Sequence, residues 1–306
     1  MKNIGKYVLK GLLAMFAALP LKVHYAISGF VAWLACSVLH YRTDDVMINM
    51  ARCFPEMSAW ELRILKKEFY RHFANVIVES IWFGGCHSPE RYRKSGVVEM
   101  KNFNSLRELY DNSNGVVVMC SHSGNWELFG GLLSHFYDDS VRKVDVNKLC
   151  VVYRRLSSKV WDDIMKDNRL APLGNNACFK GYVESGAFVR FAYTHKDDKM
   201  VYYMITDQRP YFPGPDYLRV RFLNRECQTM TASAGIAHKF GHAVVFQSMK
   251  EKSSGKGYEV EYIPICANAS EWSVEDIMKK YYALLEQDIT AQRHNYLWSH
   301  RRWEII

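Results

Sequence analysis

The residues able to do chemistry concentrate in one short stretch, CSHSGNWELFGG, residues 120–131. His122 follows an apolar run, and Glu127 comes soon after it, where a helix is expected to start. A carboxylate on one ring nitrogen of a histidine fixes the tautomer and stabilises the imidazolium formed when the other nitrogen takes a proton. Such a pair makes a general base near neutral pH. Gly124 lets backbone approach closely, and Asn125 can cap the helix. The free N–H groups of that helix start would suit an anion or oxyanion. Two metal ligands, or an ordinary strand-to-helix turn, are other readings of the same spacing. A zinc site lacks an evident third ligand, because His135 lies on the same expected helix and is not placed to close it. Serine nucleophile chemistry and nucleotide binding have no motif: G-x-S-x-G, the P-loop and G-x-G-x-x-G are all absent.

The elements that must position these residues alternate. GVVVMCS (115–121) reads as a strand buried on both faces, since its apolar residues run together without alternation. KLCVVYR (148–154) and KMVYYMITD (199–207) read the same way. Helices are expected from Ser58, capped with Glu61 at its third position, to Phe83, and over NWELFGGLLSHFY and SSKVWDDIMKDNR. Further helices are expected from Lys180 to Tyr193, over TASAGIAHKFG and from Ser273 to Arg293. AVVFQSM and GYEVEYIPI read as strands joined by a turn at SSGKG. The fold class is therefore α/β, a mostly parallel central sheet flanked by helices, with a late antiparallel pair. Functional groups in such sheets gather at the carboxyl ends of strands, and His122, Arg154 and Asp207 each stand at or just past one.

The N-terminus differs in kind. YVLKGLLAMFAALP and VHYAISGFVAWLACSVLH are apolar stretches separated at Pro20 and flanked by Lys2, Lys6 and Lys10. The second would span ~26 Å as a helix, marginal for a hydrocarbon core of ~30 Å. A membrane-associated segment is expected, inserted shallowly or as a hairpin bent at Pro20 that leaves both ends on one side. A buried helix pair is the alternative. The organisation expected is an anchor over 1–42 and a catalytic domain over 43–306, with a helical lead-in (43–95) and an α/β core (96–306). The net charge of +8 favours an anionic partner such as a membrane surface or a phosphorylated substrate. Nucleic acid would suit that charge too, but no motif supports it. The eight cysteines show no CxxC or zinc-knuckle spacing, which fits a reducing compartment.

Several motifs occur in a fixed order: HSGNWE, VVYRR, DNR, TDQ, TASAGIA with GHAVVF, and finally YLWSHRRWE. Together with NMARCFPEMS and VIVES they resemble the bacterial lipid A biosynthesis late acyltransferases, over most of the chain. The resemblance implies an α/β acyltransferase body on a membrane anchor, with an H-x4-D/E dyad at its centre. It implies an acyl-carrier-protein thioester as donor. The acceptor would be a hydroxyl on an anionic lipid, a phosphorylated glucosamine disaccharide. His122 would be the base and Glu127 its orienter, while Arg154, Arg169 and Asp207 match the family's later arginines and aspartate. Asn125 and the arginines are candidates for holding substrate or oxyanion. Neither a cofactor nor a metal is expected, and the location implied is the inner membrane with the catalytic domain facing the cytoplasm. RFLNREC and QRHNYLW depart from the family's Phe-Phe-Gly-x-Pro and His-Pro-Glu-Gln patterns, which bears on the acceptor more than on the reaction. An acyltransferase of glycerophospholipid or aminolipid, and a non-catalytic lipid-binding membrane protein, are the competing readings.

Overall fold

Apolar runs without alternation make strands that need cover on both faces, and the chain supplies helices for each. The computed structural model describes residues 2–132, 146–173, 181–210, 214 and 217–303. The central strands are β1 (Val98–Met100), β2 (Val116–Cys120), β3 (Leu149–Tyr153), β4 (Tyr182–Glu184), β5 (Val201–Ile205), β8 (Ala243–Glu251) and β9 (Tyr258–Cys266). They form one sheet in the order β1-β9-β8-β2-β5-β3-β4. Every pairing is parallel except β8 with β9, as the sequence pattern predicts. A separate hairpin joins β6 (Arg219–Phe222) and β7 (Arg225–Gln228) through Leu223 and Asn224, both at positive φ, the geometry a two-residue hairpin turn needs.

The β2 side chains alternate between two cores. Val117 and Met119 pack with Met50, Phe69, Tyr281 and Leu285, while Val116, Val118 and Cys120 pack with Phe83, Tyr92, Leu106 and Leu128. The first core is closed by α3 (Thr43–Cys53), α4 (Ala59–Phe83), α10 (Ala232–Phe240) and α11 (Val274–Ala291). The second is closed by α5 (Pro89–Ser95), α6 (Phe103–Asp111) and the far end of α4. The expected capping box starts α4, with Ser58 Oγ accepting from the Glu61 N–H and the Glu61 carboxylate accepting from the Ser58 N–H. Gly241 ends α10 at φ 63°, as its placement after the periodic residues predicts.

Two elements, β4 and the helix after Asn125, differ from the sequence expectation. The first half of the helix expected over Lys180 to Tyr193 is instead edge strand β4, with α9 (Phe188–Thr194) following it; Lys180 itself lies outside the described residues. The β-branched and aromatic run YVE pairs with β3, and that pairing overrides a weak helical period. RVRFLNREC is a hairpin whose inner face, Val220 and Phe222, is buried while Arg219 and Arg221 stay exposed. The helix expected from Asn125 onward begins as a 3₁₀ turn over Trp126–Leu128 and continues as α7 (Phe129–Leu132); its remainder, with His135, lies outside the described residues.

At the N-terminus α1 (Lys2–Ala17) and α2 (Leu21–Trp33) meet at Pro20, and a π-helical turn over Leu34–Val38 extends α2. Lys6 and Lys10 form ion pairs with Asp163 and Asp167 of α8 (Lys159–Leu170), fastening α1 to the body. The stretch Leu21–Val38 is the described helix long and apolar enough to cross a membrane, by length and composition alone. Val23, Ile27, Phe30 and Trp33 recur at helical spacing along α2 and are exposed, as are Tyr7, Val8, Leu12 and Met15 on α1.

Candidate active site

Register decides what stands beside His122. Strands β2 and β5 are adjacent and parallel, with Cys120 opposite Ile205. His122 and Asp207 each lie two residues beyond that pair, so the two side chains leave the same end of the sheet one strand spacing apart. The pairing runs on past the strands, where the Thr206 N–H donates to the Cys120 carbonyl at 2.9 Å. His122 Nδ1 then lies 2.8 Å from Asp207 Oδ1. The other carboxylate oxygen, Oδ2, accepts the Tyr296 hydroxyl at 3.0 Å.

Asp207 is almost fully buried, which alone would push its carboxyl up. The charge and hydrogen bond of His122, helped by Arg302 and His300, override this and hold it down at about 2. An ionised carboxylate can only accept, so His122 donates from Nδ1, and in the neutral imidazole the lone pair is then on Nε2. The Gln208 carboxamide nitrogen sits 3.1 Å from that Nε2 and donates to it. Trp126 meets the imidazole edge to face at 5.0 Å between ring centres, and His300 lies parallel to it at 6.5 Å. Burial pushes His300 down to about 4, with the neighbouring His122 adding to the effect, so it is neutral at ordinary pH.

The other carboxylate of the motif goes elsewhere. Arg169, at the end of α8, forks Glu127 through Nε at 2.7 Å and a terminal nitrogen at 2.9 Å. Glu127, expected as the partner of His122, makes no hydrogen bond to it; Asp207 holds that place. The reason lies in the turn. Asn125 Oδ1 accepts the Glu127 N–H at 3.2 Å, and the tight 3₁₀ turn that follows aims the Glu127 side chain at α8. α8 can come close because residue 130 is glycine: a Cβ there would stand 1.9 Å from the Arg169 carbonyl oxygen. Burial would lower the Arg169 pKa, but the charge and hydrogen bonds of Glu127 raise it above its usual value.

The expected anion site at the helix start is already in use. The Glu127 and Leu128 N–H groups are taken by Asn125, and that of Gly124 by Asn295. Asn125 is thus the cap that the sequence indicated, and Arg154 stands exposed past the end of β3, two strands from β2. Sequence reasoning passed over Gln208 and Tyr296. Gln208 was visible as the residue after the strand-end aspartate; Tyr296 was not, because it arrives from the C-terminal segment. That segment is bridged to the histidine loop, Leu297 N–H donating to the His122 carbonyl at 3.1 Å and Ser123 pairing with Tyr296. Trp298 and Trp303 are buried in the core, as packing rather than as interfacial side chains. The basic run HRR is split, with Arg301 exposed and Arg302 fully buried, its guanidinium donating to the Tyr282 hydroxyl at 2.5 Å.

A sequence model of the bacterial lipid A biosynthesis acyltransferase family matches residues 2–304. The chain belongs to that family. It is also 22% identical, over 300 residues, to the lipid A biosynthesis lauroyltransferase of Escherichia coli (strain K12), covering 96% of this chain and 89% of that protein. The protein is thus an acyltransferase of lipid A biosynthesis. In this chain His122 is bonded to Asp207 through Nδ1 and meets the Gln208 amide at Nε2, while Arg169 is held by Glu127.

Proposed function

We propose that the protein moves a fatty acyl chain from an acyl-carrier-protein thioester to a hydroxyl of a lipid A precursor, with His122 as general base and Asp207 as its orienting carboxylate. The observation that carries this reading is the 2.8 Å contact between His122 Nδ1 and Asp207, which leaves Nε2 as the base. His122 Nε2 takes the acceptor's O–H proton as the new C–O bond forms at the thioester carbonyl. The tetrahedral oxyanion collapses, the C–S bond breaks, and the leaving thiolate takes the proton back from the imidazolium. The Gln208 amide, already beside Nε2, is the nearest donor for the acceptor oxygen or the oxyanion. Arg169, held in its fork by Glu127, is the cationic candidate. Every atom balances without an acyl-enzyme.

Membrane association belongs to the same proposal. It is supported by the exposed apolar stripe on α2 and the exposed side chains of α1, which suit the interface between headgroups and acyl chains. An inner-membrane location with the catalytic body in the cytoplasm fits an acyl-carrier-protein donor and the free thiols of the seven described cysteines. The deciding experiment is mass spectrometry of lipid A from cells with and without the protein, and with its His122→Ala variant. The proposal expects one acyl chain fewer in the second and third. An unchanged lipid A beside an altered phospholipid or aminolipid would move the acceptor, and activity in His122→Ala would remove the base.

A further inference from the structure

Glu79, on α4, is a fully buried carboxylate, and among the described residues no lysine, arginine or histidine bonds to it. An ion so placed is costly unless donors surround it. Two neutral donors do. The Tyr25 hydroxyl donates to Oε1 at 2.8 Å, and Asn125 Nδ2 donates to Oε2 at 2.9 Å. Burial pushes the Glu79 carboxyl up to about 7 against the opposing bonds from Asn125 and Tyr25, with the Tyr258 hydroxyl nearby. The other ionisable groups facing this cluster are Glu251 on β8 and Tyr92 on α5, with His72 and His294 on Glu251 and Lys256 over the Tyr25 ring.

The two donors come from opposite sides of the molecule's logic. Tyr25 belongs to α2, the apolar N-terminal helix. Asn125 belongs to the catalytic turn, and both ends of its carboxamide are committed: the nitrogen to Glu79 and the Val76 carbonyl, the oxygen to the Glu127 N–H. That turn sets Trp126 against the His122 ring and sends Glu127 into the Arg169 fork. We infer that Glu79 is a positioning residue for the active-site turn, and that α2 completes it through Tyr25, so that acyl transfer requires α2 to be seated on the catalytic body. The inference builds on the acyl-transfer reading above. If α2 lifts away, Glu79 loses a donor and Asn125 relaxes toward the carboxylate. The Glu127 cap then loosens and the groups around His122 shift, where a displacement of ~1 Å can cost ~100-fold in rate.

The test uses the full-length protein in phospholipid nanodiscs. Tyr25→Phe should lower kcat ~10-fold and Glu79→Leu ~100-fold, each with KM for the acyl donor within ~2-fold of wild type. Glu79→Gln should stay within ~3-fold, since its carbonyl can accept from Asn125 while its amide donates to the Tyr25 hydroxyl. Tyr25→Phe should add nothing in a Glu79→Leu background. A second readout needs no chemistry: hydrogen exchange at the Glu127 and Leu128 amides should speed up in Tyr25→Phe and Glu79→Leu but not in Glu79→Gln. Wild-type kcat and wild-type exchange in Tyr25→Phe would overturn the inference, even if Glu79→Leu failed to fold. So would a Glu79→Gln variant as impaired as Glu79→Leu. A wild-type protein with no acyl transfer would sink only the proposed function, because the exchange measurement still decides this one.

Discussion

Two carboxylates flank the candidate site, and their settings are opposite. Asp207 rides on a strand end, almost wholly buried, and meets a titratable imidazole. Glu127 rides on a one-turn 3₁₀ segment, is partly exposed, and meets a permanent cation. The first pair can change its charge during a reaction, because the histidine can gain and lose a proton. The second cannot, since a guanidinium does not deprotonate in proteins. On the proposed mechanism the contrast separates a chemical pair from a bracing pair, although the sequence places Glu127 so much nearer to His122.

The largest effects should fall on the chemical pair. His122→Ala should abolish transfer, and Asp207→Asn should cost about 10³–10⁴-fold in kcat, as the loss of a tautomer-fixing carboxylate does in other His–Asp pairs. Each variant should also lose the roughly 2–3 kcal/mol that the pair contributes, so kcat is to be compared at a temperature where circular dichroism shows all the proteins folded. If Glu127→Gln proved as damaging to kcat as Asp207→Asn, with no loss of stability, the division of roles would be reversed.

Next comes the bracing pair. Glu127→Gln leaves a mostly buried arginine without its counter-charge and should destabilise the protein by a few kcal/mol, with a rate loss of ~10–100-fold. The double variant Glu127→Gln, Arg169→Met should melt higher than the single one, a rescue that has no counterpart for His122 and Asp207.

The pH dependence of stability sharpens the contrast further. Asp207 has a folded pKa of about 2, below its unfolded value of ~3.9. Its contribution of about 2–3 kcal/mol is therefore complete above ~4 and disappears as pH falls through 2. Glu79 is shifted the other way, to about 7. Its penalty is absent below ~4.3, grows as pH rises, and is complete above about 7, so Glu79→Gln should flatten the fall in stability across that window. Urea titrations at several pH values would measure both. The smallest effect expected is that of Tyr296→Phe, which removes one hydrogen bond to Asp207 and should slow transfer ~3–10-fold, read from steady-state rates.

Much of this was legible in the sequence where the physics was local. Buried strands without alternation, the Ser58–Glu61 cap and the Gly241 stop were all read correctly, and each depends on residues within a few positions. The strand-end positions of His122 and Asp207 were legible too. That they would bond was not, because it depends on β5 lying beside β2, a long-range pairing no spacing rule encodes. The nearness of Glu127 along the chain suggested the wrong neighbour for the imidazole. The capped 3₁₀ turn and the bare Gly130 redirected it to α8. Trp298 and Trp303, whose indoles suit a core or an interface, read as packing side chains, and both are buried in the core.

The tyrosine that steadies Asp207 belongs to the closing stretch of the polypeptide, and that stretch also bridges back to Ser123. Until that stretch has emerged and docked, Asp207 lacks one of its hydrogen-bond partners and the His122 carbonyl lacks the Leu297 N–H. A chain that stopped before residue 296 would lose the buried Trp298, Arg302 and Trp303 along with Tyr296, so the core and the surroundings of His122 would be left incomplete together.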